Sequence, residues 1–210
     1  MADQLTAAQT ATALTAACDA IVAAKERLTR ADQAIGDGDH GVGMARGFTA
    51  AKEALAEASP ATPGEAFKAV GSAVLATSGG ASGAIFGTMF RAPAKVLTGD
   101  TLDADGFATA LEAGAEQVMR RGKAEVGQKT MLDALVPAAE AARAAVGQGL
   151  AATARAAAVA SADGVERSAE LVSGFGKSRS LGERSVGHPD PGAISVSVLL
   201  GAIADVVDTL

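Results

Sequence analysis

The sequence predicts an all-α protein in which eight antiparallel helices pack as a bundle or barrel. Apolar residues recur at helical spacing through most of the 210 residues, and no segment has a convincing strand pattern. Short polar or glycine-bearing segments separate the periodic stretches, and such short connections join antiparallel neighbours in helical bundles. Because no linker, internal repeat or low-complexity segment divides the chain, we expect a single domain over residues 1–210.

The first four helices are predicted from apolar spacing and from the positions of proline. Steps of four, three and seven residues predict one long helix over about the first thirty residues, marked by Leu14, Cys18, Ile21 and Leu28. The second helix contains Met44 and stops before Pro60, because the residue before a proline disfavours helical geometry. A capping box from Thr62 to Glu65 begins the third. The fourth runs through Phe86 and is expected to bend at Pro93.

The fifth and sixth helices are predicted from capping residues and from apolar spacing. Either Asp103 or Asp105 can cap the fifth, which we expect to end near Gly122. The sixth is predicted over about residues 130–146, with a kink at Pro137.

The last two helices differ in how clearly the sequence defines them. The seventh, over residues 150–173, is alanine-rich, and Gly164 is its weakest position by helix propensity. A polar loop follows over residues 174–187. Asp190 and Pro191 then provide a cap and a proline at the first helical position. Residues 194–198 also alternate as a strand would, but the length of the segment and its Asp-Pro start favour a helix.

Composition excludes several classes of protein. Hydrophobic residues form 49% and charged residues 20% of the chain, which is typical of a folded globular protein. A net charge of −6 argues against a nucleic-acid partner. A single cysteine is typical of a protein from a reducing compartment. We expect this residue, Cys18, to be a small residue of the core. We find neither a signal-peptide pattern nor a sufficiently apolar membrane span, so the chain is predicted to be cytoplasmic.

Three aspartates and a histidine lie close together among glycines in residues 32–41. Glycine allows a short loop to wrap closely around an ion or a phosphate. Oxygen ligands alone favour a hard cation, Mg²⁺ before Ca²⁺. We therefore predict that this loop binds Mg²⁺ through Asp32, Asp37 and Asp39. The alternative is a solvated turn, in which Asp and Gly are also common.

Three further loops carry unusual residues, at 79–83, 120–133 and 176–192. The first of them resembles a phosphate cradle, with small residues before a helix N-terminus. The others bring cations, which suit a polyphosphate beside an acidic metal loop. Taken alone, the 79–83 loop has a flexible helix–helix turn as its alternative, and the 120–133 loop has a solvated turn. In an up-and-down bundle these three loops and the aspartate loop all emerge at the same end, so we expect them to form one site.

Four motifs together resemble the nucleotide-binding L subunit of dihydroxyacetone kinase. They are Gly-Asp-Gly-Asp-His-Gly at 36–41, Gly-Gly-Ala-Ser-Gly with Phe-Gly at 79–87, Arg-Gly-Lys-Ala-Glu with Lys-Thr-Met-x-Asp at 121–133, and Leu-Gly-Glu-Arg-Ser-x-Gly-His-x-Asp-Pro-Gly at 181–192. The resemblance covers almost the whole chain, in the same order. It implies a barrel of eight antiparallel helices with the nucleotide site at one end.

The resemblance also implies a reaction and a set of site residues. Two Mg²⁺ ions held by the three aspartates would anchor the phosphates of ADP or ATP. A separate K subunit would hold the ketose, and phosphoryl transfer would occur where the subunits meet. The nucleotide contacts implied by the motifs are His40, Gly41, Val42, Gly43, Ala81, Ser82, Gly122, Thr130, Met131, Lys177, Asp190, Pro191 and Gly192. The basic residues implied as catalytic helpers are Lys177 and Arg179.

Two positions depart from the pattern of that family. Gly43 stands where an asparagine is expected, and Lys177 stands where an arginine is expected. Lysine keeps the charge but loses bidentate phosphate geometry. The phosphodonor is left open between ATP and a phosphotransferase-system protein, the substrate between three- and four-carbon ketoses, and the assembly includes a homodimer as one option.

Two rival functions use the same residues. A non-catalytic nucleotide-binding module would carry identical binding motifs, and only turnover with a K-type partner separates it from a kinase subunit. A metal-dependent hydrolase would use the aspartates to activate water. The hydrolase is less favoured because His40 is the only evident general base near them.

Overall fold

The computed structural model describes residues 3–210, which form nine α-helices and two short strands. The strands are β1 (Gln4–Thr6) and β2 (Thr101–Asp103). The helices are α1 (Ala7–Ala23), α2 (Lys25–Ile35), α3 (His40–Ala58), α4 (Pro63–Thr77), α5 (Gly80–Arg91), α6 (Ala104–Gly122), α7 (Leu132–Ala145), α8 (Leu150–Glu170) and α9 (Pro191–Thr209). Short 3₁₀ turns cover Pro93–Lys95 and Val146–Gln148, and a longer 3₁₀ segment covers Lys177–Ser185.

The helices close into a ring. Each of α3 to α9 packs against its neighbour in sequence, and α1 packs against both α3 and α9. One contiguous apolar core fills the ring, with contributions from every one of these helices. The predicted all-α class is confirmed. The wall of the barrel has eight helical segments, because α1 and α2 together form the first of them.

The predicted first helix is broken at Ala24. The axes of α1 and α2 differ by 57° there, although no proline or glycine marks the break. The cause is packing: α2 lies so close to the start of α3 that a Cβ on Gly41 would come within 2.4 Å of the Lys25 carbonyl oxygen. The bend carries α2 across that point, and its last residues deliver the chain to the aspartate loop.

Other predicted boundaries also shift. α5 ends at Arg91, and Pro93 begins a 3₁₀ turn rather than bending a continuing helix. α8 ends at Glu170, three residues before the predicted end. The two strands were not predicted, because three residues are too few to show alternation; they pair antiparallel, with buried Leu5 opposite Leu102.

The last segment is helical, as its Asp-Pro start predicted. The Asp190 side chain accepts the Ala193 N–H at 2.8 Å and caps α9. By length and composition α9 could cross a membrane, but half of its most apolar window is buried inside the protein. Cys18 is a core residue, and burial raises the pKa of its thiol to about 12, which leaves it unreactive.

Candidate metal and anion site

A cluster of three carboxylates lies at one end of the barrel. Asp32 is buried in the last turn of α2, whereas Asp37 and Asp39 are exposed in the loop before α3. One oxygen from each carboxylate lies within 4.8 Å of the other two. A Cβ on Gly36 would meet the Asp32 carboxylate at 2.2 Å, so only glycine lets the chain turn this tightly around it. The cluster offers an all-oxygen ligand set of the kind that Mg²⁺ prefers.

Lys177 balances part of this negative charge. Its Nζ donates to the carboxylate of Asp37 and, at 3.3 Å, to that of Asp39. The hydrogen bond from Lys177 lowers the pKa of Asp37, and the same bond raises the pKa of Lys177. The contact joins the aspartate loop to the 3₁₀ segment between α8 and α9.

His40 connects three elements at the centre of the site. Its backbone N–H donates to Asp32 Oδ2 at 3.1 Å. Its ring Nδ1 lies 3.0 Å from Ser82 Oγ, and its Nε2 lies 2.8 Å from Ser195 Oγ. Burial lowers the pKa of the His40 ring, against the opposing effects of Asp32 and Asp39. The ring therefore acts as a buried polar connector.

Three helix N-termini meet around this ring. His40 is the first residue of α3, Ser82 lies in the first turn of α5, and Ser195 lies one turn after the start of α9. The first N–H groups of a helix lack intrahelical partners and carry partial positive charge. Three such ends beside an acidic cluster are chemically suited to an anion that carries a cation with it.

Lys129 holds the neighbouring loops together from the interior of the protein. It is buried, and its Nζ donates to the carbonyls of Ser168 at 2.7 Å and Leu171 at 2.9 Å at the end of α8. Burial lowers the pKa of Lys129. Ser168 Oγ in turn accepts the Asp190 N–H at 3.0 Å, so the end of α8 is attached to the start of α9.

Asp133 organises the loop between α6 and α7. Its two carboxylate oxygens accept the N–H groups of Gly127, at 2.5 Å, and Thr130, at 2.7 Å. This carboxylate also faces Asp190, whose pKa is raised to about 7, chiefly by burial. These contacts fix the backbone around Thr130 and Met131 beside the start of α9, where a Cβ on Gly192 would lie 3.2 Å from Met131 Cβ.

The structure brings most of the predicted site residues to the same end of the barrel. The predicted positions in α3, α5 and α9 lie in the first turns of those helices, and Thr130 and Met131 lie just before α7. Gly122 is the last residue of α6 and faces Ile85 of α5. Arg179 differs: it is exposed on the 3₁₀ segment and forms no ion pair within residues 3–210.

Sequence reasoning missed several residues that position the site. Ser195 lies outside every motif, and nothing in its spacing relates it to His40. Arg46 donates from Nε to the Thr77 carbonyl at 2.7 Å and also reaches the Ser78 carbonyl, which holds the end of α4 against α3. Lys129 and Asp133 belong to the Lys-Thr-Met-x-Asp motif, but only the folded structure shows their hydrogen-bond partners.

A family model described as the DAK2 domain matches residues 34–205. The chain belongs to the DAK2 domain family. A DhaL chain of Listeria innocua, named the ADP-binding subunit of PEP-dependent dihydroxyacetone kinase 1, is 39% identical to this DAK2 chain. The match spans 85% of this chain and 86% of that one. The chain is therefore a DhaL-like member of the family.

Longer relatives contain a similar region. The D-erythrulose kinase of Mycolicibacterium smegmatis is 38% identical over 94% of this DAK2 chain but only 35% of its own length. The dihydroxyacetone kinase of C. freundii in its native form matches with a TM-score of 0.71 and 25% identity, over 94% of this chain and 34% of that one. Its complex with AMP-PNP and Mg²⁺ matches at 24% identity with a TM-score of 0.72, which shows the fold. This DAK2 chain thus spans about a third of those kinases.

Proposed function

We propose that this DAK2 chain is the nucleotide-binding kinase subunit of a dihydroxyacetone (glycerone) kinase. It would carry ADP or ATP with Mg²⁺ and pass a phosphoryl group to a ketose held on a separate K-type subunit. The observation that carries the proposal is the meeting of three carboxylates with three helix N-termini around His40. The name of the Listeria innocua relative, an ADP-binding subunit of a dihydroxyacetone kinase, supports it.

The nucleotide phosphates would lie over the starts of α3, α5 and α9. Backbone N–H groups there can donate to phosphate oxygens without moving, and the helix dipoles favour the negative charge. We infer that the residues in contact with the nucleotide are His40, Gly41, Val42, Gly43, Ala81, Ser82, Gly122, Thr130, Met131, Lys177, Asp190, Pro191 and Gly192.

Asp32, Asp37 and Asp39 would hold the metal. Their mutual spacing and their all-oxygen chemistry fit Mg²⁺, and we expect two ions. A bound Mg²⁺ would supply positive charge that stabilises the phosphates and the charge that develops during transfer. Asp32 is the rigid member of the set, because it is buried and accepts the His40 N–H, while Asp37 and Asp39 can adjust at the surface.

Lys177 and Arg179 are the proposed catalytic residues. Lys177 pairs with Asp37 and Asp39, so its ammonium lies beside the proposed metal site, where it could stabilise a bound phosphate. Arg179 is exposed on the same 3₁₀ segment and can reach a ligand only from the solvent side. Charge stabilisation of this kind accounts for much of catalysis in phosphoryl transfer.

The partner would dock on the end of the barrel that carries the site. Several exposed large apolar side chains lie there, namely Val42, Val126, Val172 and Val186. Such side chains suit contact with the K-type subunit around the metal-bound phosphates. A phosphotransferase-system protein is the proposed phosphodonor, because a Lactococcus lactis relative, 37% identical over 87% of this chain, is named the ADP-binding subunit of a PTS-dependent dihydroxyacetone kinase. We also propose residues 1–210 as one DhaL-type domain with a cytoplasmic location.

A four-carbon ketose is the second candidate substrate. The relative from Mycolicibacterium smegmatis that is named a D-erythrulose kinase supports it. Because the ketose would bind to the other subunit, residues of this chain do not discriminate between the two substrates.

The deciding experiment measures turnover of the two-component system. The purified chain is incubated with Mg²⁺, ATP and either dihydroxyacetone or erythrulose, with and without a K-type subunit, and separately with the phosphotransferase-system proteins in place of ATP. We expect phosphorylated ketose only when the K-type subunit is present. Robust product from the isolated chain would overturn the two-component proposal, and nucleotide binding without turnover under any condition would favour a non-catalytic module.

A further inference from the structure

Ser195 is a fully buried serine that touches the site from the core side. It lies one turn into α9, and its Oγ is 2.8 Å from His40 Nε2 and 3.0 Å from the Pro191 carbonyl oxygen. The Pro191 carbonyl also faces the His40 ring. The hydrogen-bond partner of Nε2 is therefore a hydroxyl that is itself hydrogen-bonded to a carbonyl oxygen.

Counting protons assigns the direction of these hydrogen bonds. A carbonyl oxygen only accepts, and a serine hydroxyl has one proton to donate. When Ser195 donates that proton to the Pro191 carbonyl, as helix serines commonly do four residues back, its Oγ is left as an acceptor toward His40. His40 Nε2 must then carry the ring proton, and in the neutral ring Nδ1 becomes an acceptor.

The same count of protons determines whether the Ser82 hydroxyl can donate to a ligand. Its Oγ lies 3.0 Å from Nδ1, so its hydroxyl proton points to the His40 ring. Ser82 is then left with lone pairs toward the opening of the site and has no proton for a phosphate. In this loop, phosphate oxygens would be held by the backbone N–H groups at the start of α5.

We propose that Ser195 is a positioning residue that holds His40 in the Nε2–H tautomer and so presents Ser82 to the ligand as an acceptor. The part that concerns the ligand rests on the proposed nucleotide function. The part that concerns the tautomer does not, because it can be measured on the chain without any ligand.

The first test is nitrogen NMR of the protein labelled with ¹⁵N-histidine, at about pH 8, above the ordinary pKa of histidine. The chain has two histidines, so His188→Gln leaves a single signal set for His40. We expect a protonated Nε2 and an unprotonated Nδ1. A proton on Nδ1 would overturn the proposal.

The second test changes Ser195. In Ser195→Ala we expect a mixture of tautomers, while Ser195→Thr, which keeps the hydroxyl, should restore the single form. Ser161→Ala is the matched control: Ser161 is equally buried, donates to the Ala158 carbonyl, and is not hydrogen-bonded to His40. An unchanged single Nε2–H tautomer in Ser195→Ala, with the helical spectrum retained, would overturn the role of Ser195.

The third test links the tautomer to the ligand through calorimetry with Mg-ADP. In Ser195→Ala the Nδ1–H tautomer frees the Ser82 hydroxyl to donate to a phosphate oxygen, so binding should strengthen by about threefold to tenfold, the worth of one net hydrogen bond. Ser161→Ala should bind as the wild-type chain does, and Ser195→Thr should return the affinity to near the wild-type value. Weaker binding in Ser195→Ala, or an equal change in Ser195→Ala and Ser161→Ala, would show a merely structural effect and overturn the link. If wild-type protein does not bind Mg-ADP, the proposed function fails, while the NMR result stands.

Discussion

At the residue scale, each carboxylate of the site already has a partner within the protein. Asp37 and Asp39 share the ammonium of Lys177, while Asp32 is held by a backbone N–H of α3. A bound cation must compete with this lysine, so the aspartate loop exchanges one positive partner for another. Mutations here should therefore change ligand binding far more than folding.

Asp37→Asn should weaken Mg²⁺-dependent ADP binding beyond detection by calorimetry, because it removes a charged oxygen from the cluster. The helical circular dichroism spectrum should not change, since the loop lies outside the core. Asp19→Asn is the matched control: it also removes an exposed carboxylate that pairs with a lysine, Lys52 at 2.7 Å, but lies on α1. Metal-independent ADP binding of unchanged affinity in Asp37→Asn would contradict the metal assignment.

Asp190 should make stability depend on pH. Burial raises the pKa of its carboxyl from 3.8 to about 7, so between these values the unfolded chain has lost a proton that the folded chain retains. Folding stability should therefore fall as the pH rises from about 4 to about 7, and then level off.

Asp190→Asn removes this ionisation but keeps an oxygen for the Ala193 N–H. Relative to the wild-type chain, the variant should gain at least about 1 kcal/mol between pH 5 and pH 8, since one pKa unit corresponds to about 1.4 kcal/mol. Urea unfolding at the two pH values measures the difference. Parallel pH dependence in the two proteins would show that Asp190 ionises normally.

At the element scale, small residues set how closely the helices approach. Gly164 of α8 faces α7 so closely that a Cβ would lie 2.3 Å from the Asp133 carbonyl oxygen. The position that helix propensity marks as the weakest in α8 is thus a packing contact. Gly201 of α9 differs, because a Cβ there would meet nothing within 4 Å.

The two glycines should respond in opposite ways to alanine. Gly164→Ala should destabilise the protein by about 1–3 kcal/mol through overpacking. Gly201→Ala should stabilise it by about 0.5–1 kcal/mol, because alanine is the better helix former. Equilibrium unfolding in urea compares them directly. Equal stabilisation by both changes would contradict the close packing of α8 on α7.

Sequence predicted helix starts well and tertiary contacts poorly. Thr62, Asp103 and Asp190 each accept a backbone N–H at the start of a helix, and such caps depend on neighbouring residues alone. The break at Ala24 could not be predicted, because it results from packing against α3. The contacts of Ser195 with His40 and of Lys129 with α8 join residues far apart in the chain, so no local pattern reveals them.

At the scale of the whole molecule, the site lies where several helices of the barrel begin or end. Its integrity therefore depends on the complete ring, and a ligand held between the loops should stabilise the entire fold. A ligand that binds only the folded state at a hundred times its Kd adds about 2.7 kcal/mol.

Mg-ADP should accordingly raise the melting temperature by about 5–10 °C at that concentration, given about 2–4 °C per kcal/mol for a chain of this size. Differential scanning calorimetry with ADP and EDTA provides the control, in which the rise should largely vanish. An equal rise with EDTA present would mean that the metal does not take part in binding.

The direction of α9 determines how a covalent link could join this barrel to a partner. α9 starts at the site with Asp190 and runs away from it for 19 residues, a length of about 28 Å. A polypeptide tether attached after Leu210 would therefore leave from the face opposite the three carboxylates. To place a fused domain over those carboxylates, it would need at least about eight fully extended residues to travel back along the wall of the barrel.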